Sequence, residues 1–176
     1  MAISSVDHAA FYQLKTLLQG VLVRGTARSI ASLAPYVGGK TGTTDQENDA
    51  WFIGFTNDVT VAVWVGYDNA DGKRRTLGGG ATGGHVAVPI FQQVIDAVWA
   101  HVAPKTSLRP PSPEARSQLA CRSTDAEGRE SQRSGGINEC FRVDRKGGII
   151  DTRAQLVARH PSTRGDQDEE ETAAWR

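Results

Sequence analysis

The sequence predicts an α/β chain of the α+β type, with antiparallel strands flanked by helices. Three observations carry that expectation. Apolar residues recur at helical spacing over residues 6–24. Two apolar runs, Ala50–Thr56 and Val59–Tyr67, are separated only by Asn57-Asp58, a connection of hairpin length. A second helical stripe begins at Pro89 and runs to about Val102.

The first helix is marked by Val6, Ala10, Leu14, Leu17 and Val21, and Phe11, Leu18 and Leu22 widen the stripe. Ser5 is the expected N-cap, with Asp7 in the first turn, where its charge suits the helix dipole. Gly25 is the expected terminator. A stripe this wide calls for more than one packing neighbour, and without them the chain is expected to aggregate. A short second helix is expected over Thr26–Leu33, stopped by Pro35.

Three strands are expected next, over Tyr36–Thr43, Ala50–Thr56 and Val59–Tyr67. In the third, Val59, Val61, Val63 and Val65 share one face and Trp64 takes the other. Both faces look apolar, so the sheet is expected to be covered on both sides, with Trp51 and Trp64 in the core. A glycine loop, Gly78–Gly84, leads to the closing helix. Pro89 suits its first turn, and Ile90, Phe91, Val94, Ile95, Val98 and Val102 are expected to face inward.

Composition divides the chain near Pro104. It has 176 residues, with 20 basic and 20 acidic side chains that cancel. Residues 1–103 hold 15 of those charges and 104–176 hold 25, so the neutrality averages two unlike parts. The expected domains are a globular portion over 1–103 and a linker with a polar, partly disordered tail over 104–176. Arg109-Pro-Pro-Ser-Pro113 reads as an extended linker. Asp166-Gln-Asp-Glu-Glu-Glu171 is a self-repelling run. Residues 137–151 are expected to form a small hairpin turning at Asp144–Gly148. Zero net charge argues against a general nucleic-acid binder. No apolar run approaches the roughly 18 residues of a membrane span, and no signal peptide is visible at Met1. The cysteines are Cys121 and Cys140. Two readings stay open for them: unrelated thiols in a reducing compartment, or a pair in an oxidising one. Two cysteines without a histidine cluster make a poor zinc site, and no metal or cofactor is expected.

The chemistry concentrates at Gly38-Gly-Lys-Thr-Gly-Thr-Thr44. A phosphate loop is one reading of Gly39-Lys40-Thr41, but its first glycine would fall on Ala34, and Gly42 follows where a helix should start. The second reading is a substrate-facing edge strand. Gly42 would let a substrate backbone approach, and Lys40 would offer a positive charge to a terminal carboxylate. Thr41 and Thr43 add hydroxyl donors, and the Thr43 N–H suits an oxyanion hole.

Around this run lie, in order, Tyr12–Ala27, Gly39–Thr44, Asp49–Thr56, Val63–Asp68 and Ala81–Gly84. This series resembles the end of the transpeptidase domain of class A penicillin-binding proteins of the 1A type, over roughly residues 7–103. The tail, with Glu139-Cys-Phe-Arg-Val-Asp144, resembles an extension that some members carry. The resemblance implies a partial penicillin-binding/β-lactamase-like fold. It also implies acyl transfer from D-Ala-D-Ala stem peptides of peptidoglycan through a serine that β-lactams trap. Lys40 and Thr41 would then shape the electrostatics, Thr43 would bind the carboxylate, and its N–H would join the oxyanion hole.

The chain departs from that pattern in one respect. No serine has lysine three positions on, and no S-x-N occurs; Ser5-Val-Asp7 carries Asp where Asn would stand. The nucleophile is therefore absent and no catalytic residue is assigned. The family's S-x-x-K and S-x-N elements, glycosyltransferase part and membrane anchor are expected upstream of residue 1. Full-length members are expected on the periplasmic or outer face of the cell membrane, whereas this stretch of sequence is expected to hold neither signal nor anchor. The alternatives are a non-catalytic binding module using the exposed strand edge and, more remotely, a nucleotide-binding protein. Asp49 reads as a turn residue, His85 and the glycine loop as a structural connection, His8 and His101 as partly exposed, and Lys73-Arg-Arg75 as a solvated turn.

Overall fold

A computed structural model describes residues 7–68, 72, 73, 75–124 and 137–150. The expected cap at Ser5, the stripe's first residue Val6 and the acidic run 166–171 lie outside the described residues. Helix α1 spans His8–Val23, and its N-cap is Asp7. The Asp7 carboxylate accepts hydrogen bonds from the N–H groups of Ala9 (3.0 Å) and Ala10 (3.1 Å), so Asp7 caps the helix instead of standing in its first turn. The Ala10 bond, aided by the Arg142 guanidinium 2.8 Å away, holds the carboxyl below its ordinary value against some desolvation. At the other end the chain folds back over the last turn, with the Ala27 N–H on the Val21 carbonyl at 3.1 Å. A Cβ on Gly25 would lie 2.8 Å from the Val21 backbone, so only glycine fits this reversal.

A 3-10 segment over Arg28–Leu33 replaces the expected second helix. Strands β1 (Gly38–Thr43), β2 (Asp49–Phe55) and β3 (Thr60–Gly66) then form an antiparallel sheet in that order. Lys40 stands opposite Ile53, and Trp51 opposite Trp64. Phe52 and Val63 are buried on one face, over which helix α2 (Val88–His101) lies. The Phe52 and Phe91 rings meet edge to face at 4.8 Å. The opposite face is not covered as expected. Trp51 (39% exposed), Ile53 and Trp64 (47%) stand on it, with the indoles 6.2 Å apart. An apolar sequence on both faces therefore does not mean burial on both faces among the described residues.

The wide stripe of α1 is corrected in the same way. Phe11, Leu14 and Leu17 are more than half exposed, while Ala9, Lys15, Thr16, Gly20 and Leu22 are buried. The tail takes the other side of the helix. Ala9 joins Ala115, Leu119 and Cys140 in a small apolar cluster, with Tyr12 against it. Lys15 donates to the Arg109 carbonyl and lies 4.2 Å from the centre of the Tyr12 ring. Burial lowers the Lys15 pKa and raises that of Tyr12. On α2, Val88, Phe91 and Ile95 are buried as the stripe implies, but Ile90, Val94 and Val102 are exposed.

The segment before the tail hairpin is tied along the body. Leu108 donates to the Pro35 carbonyl (2.9 Å), and Asn57 bonds Ser107 (2.8 Å) and Arg109 (3.0 Å). Ser112 caps helix α3, Pro113–Ser117. Strands β4 (Leu119–Thr124) and β5 (Ile137–Arg142) follow as an antiparallel pair. This revises the expected hairpin over 137–151: residues 137–142 pair with 119–124, and a single Val143–Ile149 bridge spans the Asp144–Gly148 turn. Cys121 and Cys140 face each other across the pair and form a disulfide. Ion pairs join Glu139 to Arg24 and Arg142 to Asp7, fastening the hairpin to both ends of α1.

With so small a cluster beneath it, the hairpin depends on its cross-link. Closing this loop is worth about 3 kcal/mol in the chain-entropy estimate. Reduction is therefore expected to speed amide exchange in β4 and β5 by about a hundredfold, while β1–β3 keep their protection. Equal exchange before and after reduction would rule out a stabilising role.

Candidate functional site

The Lys-Thr-Gly run lies inside β1, at one edge of the sheet. The ladder decides which of its groups face outward. Thr44 donates to the Asp49 carbonyl at 3.0 Å, which makes Thr44–Asp49 a hydrogen-bonded pair. Alternation along an antiparallel pair then turns the N–H and C=O of Thr43 and Thr41 toward the open edge. The Lys40 side chain shares the exposed face with Ile53, its partner across the ladder, and its Nζ donates to the Thr41 carbonyl at 2.8 Å. A positive charge and the outward N–H of Thr43 are thus brought to the same edge, with Thr41 and Gly42 between the two residues.

Thr41 and Thr43 send their side chains to the other face, where two partners to which the sequence assigned no site role hold them. The Thr41 hydroxyl lies 2.5 Å from that of Thr26, in the turn after α1. The Thr43 hydroxyl accepts the Gly83 N–H at 3.1 Å. Gly83 opens a turn of π-helix, Gly83–Ala87, that leads into α2. It is wedged against the strands: a Cβ there would sit 2.2 Å from the Trp51 carbonyl oxygen and 2.7 Å from that of Gly42. The glycine loop is thus a structural connection, as expected, and it also supports the candidate strand from beneath. Both lie within segments of the motif series, Thr26 in Tyr12–Ala27 and Gly83 in Ala81–Gly84, but nothing in the sequence singled either out as a support of the strand.

The loop between β1 and β2 is unusual in its backbone. Gln46 (φ 60°) and Glu47 (φ 54°) both occupy the left-handed region, which disfavours side chains. Thr76 donates to the Gln46 carbonyl at 2.6 Å, and Leu77 and Gly80 bond the Glu47 carbonyl and carboxylate at 2.8 and 3.1 Å. The glycine loop and the two residues before it therefore hold the turn next to Thr43. Asp49 is not in the turn but opens β2, and its carboxylate accepts from the Thr44 hydroxyl and the Trp64 indole N–H at 3.2 and 3.0 Å. His85 bonds the Gly80 carbonyl at 2.8 Å, and His8 and His101 are exposed.

This geometry offers a cation and backbone donors to an extended, anionic ligand laid along β1. It does not offer a phosphate loop, because Lys40-Thr41 lies within a strand and only a three-residue 3-10 turn, Asp45–Glu47, follows. Cys121 and Cys140 are in the tail hairpin and take no part in this edge. Among the described residues, no His, Cys, Asp and Glu side chains group to hold a metal ion, and no helix is long and apolar enough to cross a membrane.

Comparison with known proteins agrees with the motif series. The family model for the penicillin binding protein transpeptidase domain matches residues 3–96. Penicillin-binding protein 1A of Rickettsia bellii is 38% identical over 138 residues, which is 78% of this chain and 16% of that protein. Penicillin-binding protein 1A of Aquifex aeolicus is 45% identical over 75 residues, 43% of this chain and 10% of that protein. The crystal structure of penicillin-binding protein 1A from Haemophilus influenzae superposes with a TM-score of 0.54 at 25% identity. That match covers 78% of this chain and 20% of the solved one.

Proposed function

This chain belongs to the penicillin-binding protein transpeptidase family, and from that premise we propose that β1 is the edge on which a D-Ala-D-Ala stem peptide of peptidoglycan is held for acyl transfer. The observation that carries the reading is the pairing of the Lys40 ammonium with the outward N–H of Thr43 on one open strand edge. Lys40 and Thr41 set the positive potential, Gly42 lets the peptide backbone approach, and Thr43 binds the terminal carboxylate while its N–H serves the oxyanion. The division of labour is residues 1–103 for the transpeptidase portion and 104–176 for the linker and tail.

Acyl transfer needs a serine nucleophile with its lysine, and neither S-x-x-K nor S-x-N occurs in these 176 residues. The chain therefore supplies the substrate strand, and the nucleophile belongs to a part of the protein outside it, along with the glycosyltransferase. The same reading makes β-lactams ligands of the complete site and places the full-length protein at the outer face of the cell membrane.

Titration with N-acetyl-D-alanyl-D-alanine is expected to shift the amide signals of Lys40–Thr43. Lys40→Ala is expected to weaken that binding about tenfold or more, the worth of one charge-assisted hydrogen bond. A fluorescent penicillin is expected to leave no covalent adduct on the chain. Amide signals at β1 that stay fixed at saturating dipeptide would refute the assignment of the edge, and a covalent adduct would reveal a nucleophile elsewhere in the sequence.

A further inference from the structure

We propose that Thr26 is a positioning residue for the candidate site, fixing the hydroxyl of Thr41 in one orientation; the proposal rests on the reading of β1 as the substrate edge. The two Oγ atoms are 2.5 Å apart, although 15 residues separate them in sequence. Each hydroxyl has one proton to give and lone pairs to accept with, so the pair shares a single hydrogen bond. Either hydroxyl could donate by geometry alone; in the proposed arrangement Thr26 donates and Thr41 accepts. The Thr41 proton is then left for an anion at the strand edge, and its oxygen is polarised by the incoming bond, which strengthens that donation.

Both partners are held from outside the pair. Thr26 sits in the reversal after α1, where the adjacent Ala27 N–H is bound to the Val21 carbonyl at 3.1 Å. Its own carbonyl oxygen lies 2.4 Å from where a Cβ on Gly84 would be, so the glycine loop touches it closely. A Cβ on Gly83 would lie 3.2 Å from the Thr41 Cβ, so the same loop limits the space around that side chain. The Thr41 carbonyl is already occupied by the Lys40 ammonium. Three segments thus converge on the Thr41 hydroxyl: the turn after α1, the strand itself and the loop before α2. Threonine has few χ1 choices, and one hydrogen bond is enough to select among them.

The test uses the full chain with Thr26→Val, which keeps the shape and removes the donor. Thr26→Ala repeats the test without a second methyl group, and Thr26→Ser restores the hydroxyl. The χ1 angle of Thr41 is read from three-bond couplings to its methyl carbon, and affinity from N-acetyl-D-alanyl-D-alanine titration. Expected results are averaging of the Thr41 χ1 in the Val and Ala variants, with binding about fivefold weaker. The Ser variant is expected to keep one χ1 and affinity within about twofold of the parent. An unchanged Thr41 χ1 in both Val and Ala overturns the proposal, whether or not the dipeptide binds. If the parent chain binds no dipeptide while Thr41 loses its order in the variants, the substrate reading fails and the positioning role stands.

Discussion

Replacing Phe91 with alanine is expected to cost about 3–5 kcal/mol, the usual loss for a buried phenylalanine. Phe91 is fully buried and stands at the contact between α2 and the sheet. Its ring meets Phe52 edge to face at 4.8 Å and presses on Gly54, where a Cβ would come within 2.6 Å of the ring. The absent side chain at Gly54 lets the helix lie this close, so no neighbouring group is ready to fill the space that alanine leaves. Val88 and Ile95 flank Phe91 on the same helix face and are also fully buried, but neither reaches the volume of a phenyl ring. The loss also bears on the site, because the turn that begins at Gly83 runs directly into α2. Urea unfolding of the variant against the parent measures the effect. A change below about 1 kcal/mol would mean that α2 does not anchor the sheet.

Much of the sheet was legible in the sequence because its signals are local. A two-residue turn between two apolar runs leaves few ways to pair them, and the observed strand ends fall within two residues of the expected ones. The valine alternation in β3 likewise assigns Val61, Val63 and Val65 to the core side and Trp64 to the other. Which apolar face is covered was not legible. Phe11, Leu14 and Leu17 have the spacing of a buried stripe and are exposed, while α1 turns Ala9 and Lys15 to the tail. Periodicity reports that a face is apolar; it carries no information on what lies against it. The tail was misread for a related reason. The pairing of β4 with β5 joins segments far apart in sequence, and its clearest sign was the spacing of Cys121 and Cys140. The Lys-Thr-Gly run at the candidate site was readable from its residue types. The supports of that run, Thr26 and Gly83, were not, because each acts through a contact made only in the folded chain.

Gly83→Ala is expected to destabilise the chain by about 3 kcal/mol, the upper end of the range for overpacking a filled site. The added methyl would meet two backbone oxygens, those of Trp51 at 2.2 Å and Gly42 at 2.7 Å. Backbone oxygens cannot rotate aside as a flexible side chain can. Relief must come from moving the turn away from the sheet, which lengthens the 3.1 Å bond from the Gly83 N–H to the Thr43 hydroxyl. Gly79→Ala is the matched control. Gly79 has a positive φ, 64°, which Gly83 does not, and nothing lies within 4 Å of its added Cβ. Its penalty is backbone strain alone, about 1 kcal/mol. The two variants therefore separate crowding under β1 from strain in the glycine loop. Thermal unfolding gives the stability difference, and the Thr43 amide signal reports whether the support beneath the strand has moved. Dipeptide binding is expected to be lost with Gly83→Ala under conditions where the variant is still folded, and to persist with Gly79→Ala. Equal stability and equal binding in the two variants would show that Gly83 is only a loop glycine, and that the floor beneath Thr43 does not depend on it.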